Sequence, residues 1–135
     1  MQSPEITSIS GKSTGTTTIT MSNLTTIAKT LEQFAAERDW DKFHTPKNLA
    51  MALSVEASEL LEEFLWLTEE QSTNLSPQKL DKVKDEIGDV LNYLIRLCTK
   101  LNIDPVEAVT DKLVKNGIKY PVEKARGSMR KYNEL

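Results

Sequence analysis

A chain of 135 residues, 39% hydrophobic and 27% charged, is long enough to bury one sizeable core. Its formal charge of −3 at pH 7 argues against a dedicated nucleic-acid binder. One cysteine, Cys98, excludes an intrachain disulfide and fits a reducing compartment, and no apolar run reaches the length of a membrane span. With no secretory apolar region near its start, the chain is expected in the cytoplasm, with neither a membrane nor nucleic acid as partner.

Residues 1–20 are half Ser and Thr and have little to bury, so they read as a tag or disordered extension, with Met21 as a second start. Within them Gly11-Lys12-Ser13-Thr14 looks like the end of a P-loop, but the first glycine of that loop would fall at Ile6 and no strand precedes it. Residues 21–135 read as a single domain. Leu24, Ile27, Leu31 and Phe34 predict a first helix that fades near Arg38-Asp39, and a turn covers Trp40 to His44. Three later helices open on the same signal, a capping residue before a proline at the first helical position: Thr45-Pro46, Ser76-Pro77 and Asp104-Pro105. The second helix is expected to reach about Leu67, the third to carry Leu80, Val83, Ile87, Val90, Leu94 and beyond, and the fourth to stop at Asn116-Gly117. A basic, irregular tail follows. Fold class is therefore all-α, a four-helix bundle.

Two acidic pairs carry the chemistry. Glu56 and Glu59 lie on the second helix, Glu86 and Asp89 on the third, each at i, i+3 spacing, which puts both carboxylates of a pair on one face about 4.5 Å apart along the axis. Glu56 interrupts the stripe Leu49, Leu53, Leu60, Phe64, and Glu86 stands three residues after Val83 and four before Val90. A carboxylate turned toward apolar surroundings is costly unless its charge is compensated. A hard cation shared by two antiparallel helices would compensate it, and oxygen-only ligation suits Mg²⁺, with Mn²⁺ as the alternative. The same spacing also describes two solvated acidic faces. Glu62 extends the first cluster as a further metal contact, and Glu63 reads as structural. A di-iron site would need Glu-x-x-His motifs and a zinc site more Cys and His than Cys98 and His44 provide.

Lys112, Asn116, Lys119 and Tyr120 fall at i, i+4, i+7 and i+8 across the end of the fourth helix, a set suited to phosphate oxygens and equally to a solvated helix end. Trp40, Phe43, Trp66 and Tyr93 flank the acidic helices. They offer either ring surfaces for a nucleobase or ordinary core, the latter favoured for Phe43.

These motifs together resemble the MazG-like all-α nucleoside triphosphate pyrophosphohydrolases, closest to their dCTP pyrophosphatase branch. The resemblance rests on Glu56-x-x-Glu59 followed by Glu86-x-x-Asp89, on the segment from Phe34 through Trp40-Asp-Lys-Phe43-His44 to Asn48-Leu49, on Asp89-Val-Leu-x-Tyr93, on Lys112-x-x-x-Asn116-x-x-Lys119-Tyr120-Pro121 and on Arg126-Gly-Ser-x-x-Lys131-Tyr132. It covers about residues 24–135. Two positions depart from the family pattern: Val55, where a further Glu often precedes the first metal ligand, and Gly117, where a larger polar residue is common.

The resemblance implies a four-helix module assembled as a homodimer or a dimer of dimers (a homotetramer). It implies Mg²⁺-dependent hydrolysis of a nucleoside triphosphate, dCTP or a related or modified dNTP, to the monophosphate and pyrophosphate, a house-cleaning activity on the nucleotide pool. Carried over residue by residue, it makes Glu56, Glu59, Glu86 and Asp89 metal ligands, with Glu59 and Glu56 the catalytic carboxylates. Lys112, Asn116, Lys119, Tyr120, Arg126 and Lys131 would contact phosphates or sugar, and Trp40, His44, Trp66 and Tyr93 the base. The rival readings are a non-catalytic helical interaction module, and the same chemistry on dUTP or phosphoribosyl-ATP.

Overall fold

The structure is a computed structural model that describes residues 23–135. The expected extension at 1–20 and the P-loop-like Gly11–Thr14 lie outside the described residues. Among the described residues there is no strand, and six α-helices follow in order: α1 (Leu24–Glu37), α2 (Pro46–Glu62), α3 (Glu69–Ser72), α4 (Pro77–Leu101), α5 (Pro105–Lys119) and α6 (Val122–Ala125). The all-α expectation is what the chain adopts. The chain divides into two compact units, the first ending at His44 and the second running Thr45–Leu135.

In the first unit Asn23 caps α1 by accepting from the Thr26 backbone N–H at 2.9 Å. The helix is followed by Asp39 at φ 54°, a left-handed turn that Asp tolerates better than most residues. A single 3₁₀ turn, Asp41–Phe43, leads to His44. Ala35 is buried, whereas Phe43, expected in the core, is 59% exposed.

In the second unit every cap-plus-proline signal marks a real helix start. Thr45, Ser76 and Asp104 each accept from a backbone N–H of the first turn, and Pro46, Pro77 and Pro105 follow them. The long helix α4 stops at Asn102, whose φ of 53° lets the Ile103 N–H reach back to the Cys98 carbonyl at 2.9 Å. Two ends differ from expectation. Helix α2 finishes at Glu62, not Leu67: beyond it the Leu61 carbonyl is shared by the Phe64 and Leu65 N–H groups, and Leu67 N–H bonds the Phe64 carbonyl at three-residue spacing. The chain then enters α3 through a capping box of Thr68 and Gln71. Helix α5 runs through Asn116-Gly117 to Lys119 and stops where Tyr120 precedes Pro121, a position that disfavours helical backbone. A glycine inside a helix weakens it without ending it. The tail holds the short α6 and a 3₁₀ turn at Tyr132–Glu134 where irregular chain was expected.

Helices α2 and α4 pack along their length, and their order is antiparallel: Glu56 meets Glu86 and Asp89, while the later residue Glu63 meets the earlier Lys79. Leu49 of α2 and Val83 and Ile95 of α4 form the buried apolar part of this unit, and Arg96 of α4 is buried with them. Helix α4 is apolar over more than the face α2 covers, and Ile87, Leu91 and Leu94 remain exposed. Helix α5 packs along neither α2 nor α4.

Candidate metal centre between two antiparallel helices

The apolar seam of α2 and α4 is broken where the two acidic pairs meet. One carboxylate oxygen from each of Glu56, Glu86 and Asp89 lies within 4.8 Å of the others. Glu56 and Glu86 are half-buried and Asp89 is exposed. Three like charges at this distance repel one another, and two of them have lost part of their hydration. Partial burial, followed by the charges of Glu59 and Asp89, holds the Glu56 carboxyl above the usual carboxylate range, and a side-chain hydrogen bond with Glu59 acts in the same direction. Partial burial, followed by Glu59 and Asp89, likewise raises Glu86. Its Oε2 atom is buried and accepts no hydrogen bond. A shielded acceptor left without a partner is unfavourable unless a ligand completes it.

The donor set suits a hard divalent cation. All three donors are carboxylate oxygens from two rigid helices, and the unpartnered Glu86 oxygen is available for a bond. Glu56, Glu86 and Asp89 would hold the ion, with Glu59, an exposed residue hydrogen-bonded to Glu56, at its edge. Glu62, read as a further contact, is exposed.

The cations and rings expected at the site lie on several elements. Lys112 and Lys119 are exposed on α5, and Asn116 is half-buried, its carbonyl accepting from the Tyr120 N–H at 2.8 Å. Lys119 Nζ stands 4.9 Å from the centre of the Tyr132 ring, which meets Tyr120 edge-on at 6.0 Å. Tyr132 is thus a partner of Lys119 that the reading of the sequence gave no role. Arg126 and Lys131 are exposed at the end of α6 and before the last 3₁₀ turn. Tyr93 is half-buried on α4, one turn beyond Asp89, and Trp66 is 88% exposed after α2. In the first unit Trp40 packs edge-on between Phe34 at 5.8 Å and His44 at 6.4 Å, with the Arg38 guanidinium 3.5 Å over Phe34.

One further pair was missed. Glu63, just past α2, binds Lys79 in the first turn of α4 at 2.5 Å, and both side chains are more than half shielded. The Lys79 hydrogen bond holds the Glu63 carboxyl below its usual range. Only the register of the two helices reveals this contact.

A model of the MazG-like family matches residues 51–135, the stretch that contains both acidic pairs, α5 and the tail. This chain belongs to the MazG-like family. Among similar proteins, dCTP pyrophosphatase 1 of Homo sapiens is 43% identical to this MazG-like chain over 105 residues, 76% of the chain and 62% of the human protein. The Mus musculus protein of the same name is 42% identical over the same shares. The chain therefore spans 62% of the length of these relatives. A crystal structure of a pyrophosphatase from Archaeoglobus fulgidus superimposes with a TM-score of 0.66 at 44% identity, covering 69% of this chain and 87% of that one. Trp40 and His44 precede the region matched by the family model.

Proposed function

We propose that this chain is a nucleoside triphosphate pyrophosphohydrolase that cleaves dCTP, or a related or modified dNTP, at the α–β linkage to release the monophosphate and pyrophosphate. The observation that carries this reading is the meeting of Glu56, Glu86 and Asp89 around the unpartnered Glu86 oxygen, in a MazG-like chain whose relatives are named dCTP pyrophosphatase. A bound Mg²⁺, or Mn²⁺ in its place, supplies Lewis-acid neutralisation of the triphosphate charge. Glu56, Glu86 and Asp89 would hold that ion, with Glu59 the further ligand expected beside them. Glu59, with Glu56 beside it, accepts the proton of the attacking water as the new oxygen–phosphorus bond forms and pyrophosphate leaves. Lys112, Asn116, Lys119, Tyr120, Arg126 and Lys131 take the phosphate and sugar oxygens, and Trp40, His44, Trp66 and Tyr93 take the base.

The same reading makes the working form a homodimer or a dimer of dimers in the cytoplasm, clearing unwanted dNTPs. Supporting self-association, Val109, Leu113 and Ile118 on α5 are 60%, 65% and 77% exposed, more apolar surface than an isolated helix leaves in water without consequence. No helix among the described residues is long and apolar enough to cross a membrane.

Pyrophosphate release from each common and modified dNTP, from dUTP and from phosphoribosyl-ATP, with Mg²⁺ and with EDTA, tests the assignment. Release from dCTP or a close relative, abolished by EDTA, is expected. Glu59→Ala and Asp89→Ala should each lower turnover about a hundredfold or more while leaving helical circular dichroism intact. Full activity in either variant overturns the assignment. Absence of release from every nucleotide favours the non-catalytic interaction module.

A further inference from the structure

Helices α2 and α4 carry two charged rungs in one register. Glu63 follows Glu56 by seven residues, and Lys79 precedes Glu86 by the same seven, so the Glu63–Lys79 contact repeats the Glu56–Glu86 contact two turns away, about 10.5 Å along the axis. The two rungs differ in one respect. At Glu56–Glu86 acid faces acid, with Asp89 adding a third negative charge. At Glu63–Lys79 the acid faces a resident cation, shielded from water and bonded at 2.5 Å. The ion pairs Arg38–Glu37, Lys42–Asp39 and Lys84–Asp81 join near neighbours in the sequence and are more exposed, whereas this one bridges the two helices that build the candidate metal centre. The Glu63 charge is also felt at Glu86, behind those of Glu59 and Asp89.

We propose that Lys79 is a positioning residue that sets how strongly the centre binds its divalent ion: by engaging Glu63, it withholds a further carboxylate charge from the cluster at Glu86. The Lys79 ammonium opposes the Glu63 carboxylate at a distance, so the centre feels Glu56, Glu86 and Asp89 with Glu59 at their edge, and Glu63 more weakly than these. Without Lys79, more of the Glu63 charge reaches the centre two turns away, with only the weaker influence of Lys82 left to oppose it. Without the Glu63 charge, Lys79 is an uncompensated cation at the same distance. The two deletions therefore act on metal affinity with opposite sign. A pair that merely fastened the helices together would move affinity in one direction, because losing either partner loosens the same contact.

This inference rests on the metal reading of the centre, and the experiment separates the two. Mn²⁺ alone is titrated into the whole chain, without nucleotide, and free Mn²⁺ is followed by electron paramagnetic resonance. Lys79→Met is expected to tighten Mn²⁺ binding about three- to tenfold, and Glu63→Gln to weaken it by a similar factor, as one unit charge acting across that distance on a divalent ion requires. The double variant Glu63→Gln/Lys79→Met should return to within about twofold of the wild type. Circular dichroism and melting temperature, measured on each variant, report the helix pairing separately. Unchanged affinity in the variants, or a shift of both single variants in the same direction, overturns the role of Lys79 while leaving the metal centre standing. Failure of the wild-type chain to bind Mn²⁺ removes the metal reading and this inference with it.

Discussion

The α2–α4 pair and helix α5 are both amphipathic and both carry residues of the proposed site, yet they satisfy themselves differently. Between α2 and α4, Leu49 and Val83 are buried, and the acids of one helix meet groups of the other within the same chain. On α5, Val106, Val109, Leu113 and Val114 are all more than half exposed, and Lys112 lies exposed among them. The acidic cluster of the first region is assembled within a single chain, although Ile87, Leu91 and Leu94 of α4 stay exposed beside it. The second has an apolar face with no cover inside its own unit, and this is the face that self-association would close. A divalent-ion centre can therefore form in one subunit, while the surface around the proposed phosphate contacts on α5 depends on what packs there.

The sharpest way to break that contrast is to replace one leucine in each region. Leu49→Ala should cost about 2–5 kcal/mol and lower the melting temperature at every protein concentration, because it opens a cavity in a filled core. Leu113→Glu should leave helical content intact and instead shift sedimentation from an assembly to a single chain, removing the dependence of melting temperature on protein concentration that the assembly shows. A wild-type chain that sediments as a monomer at micromolar concentration would refute the idea that α5 is covered by a second copy.

A smaller effect comes from pH. Glu56 and Glu86 are held above the usual carboxylate value of 4.5 in the folded chain, so the folded state keeps protons that the unfolded state releases. Stability in EDTA should therefore be highest on the acid side of that window and fall as pH rises from 4.5 through the raised values. Excess Mg²⁺ should flatten this fall, and Glu86→Gln should reduce it. Glu63 runs the other way, since its lowered value contributes stability above 4.5 that is lost only as pH falls below it. A melting temperature in EDTA that climbs through the window above 4.5 would contradict the charge repulsion described for the centre.

The smallest expected change is Gly117→Ala. The backbone there is helical, and an added Cβ meets nothing within 4 Å. The substitution should stabilise α5 by up to about 1 kcal/mol, read as a small rise in melting temperature. A fall would mean that the open space beside Gly117 is filled in the assembled protein.

Sequence alone determined the features that depend on neighbours along the chain. Thr45-Pro46, Ser76-Pro77 and Asp104-Pro105 announce helix starts because capping is a bond between residues two or three apart. The acidic pairs share a face because helical geometry puts i and i+3 together. The Thr68–Gln71 capping box is just as local, yet Thr68 to Leu75 read only as a polar connector, and no proline or glycine marks the end of α2 before it. Tertiary structure decided what crosses between elements. It brought Glu56, Glu86 and Asp89 within 4.8 Å with Glu59 to one side, paired Glu63 with Lys79, set Tyr132 against Lys119 and left the apolar face of α5 open. Those outcomes depend on the register and direction in which two helices pack, which no spacing within either helix encodes.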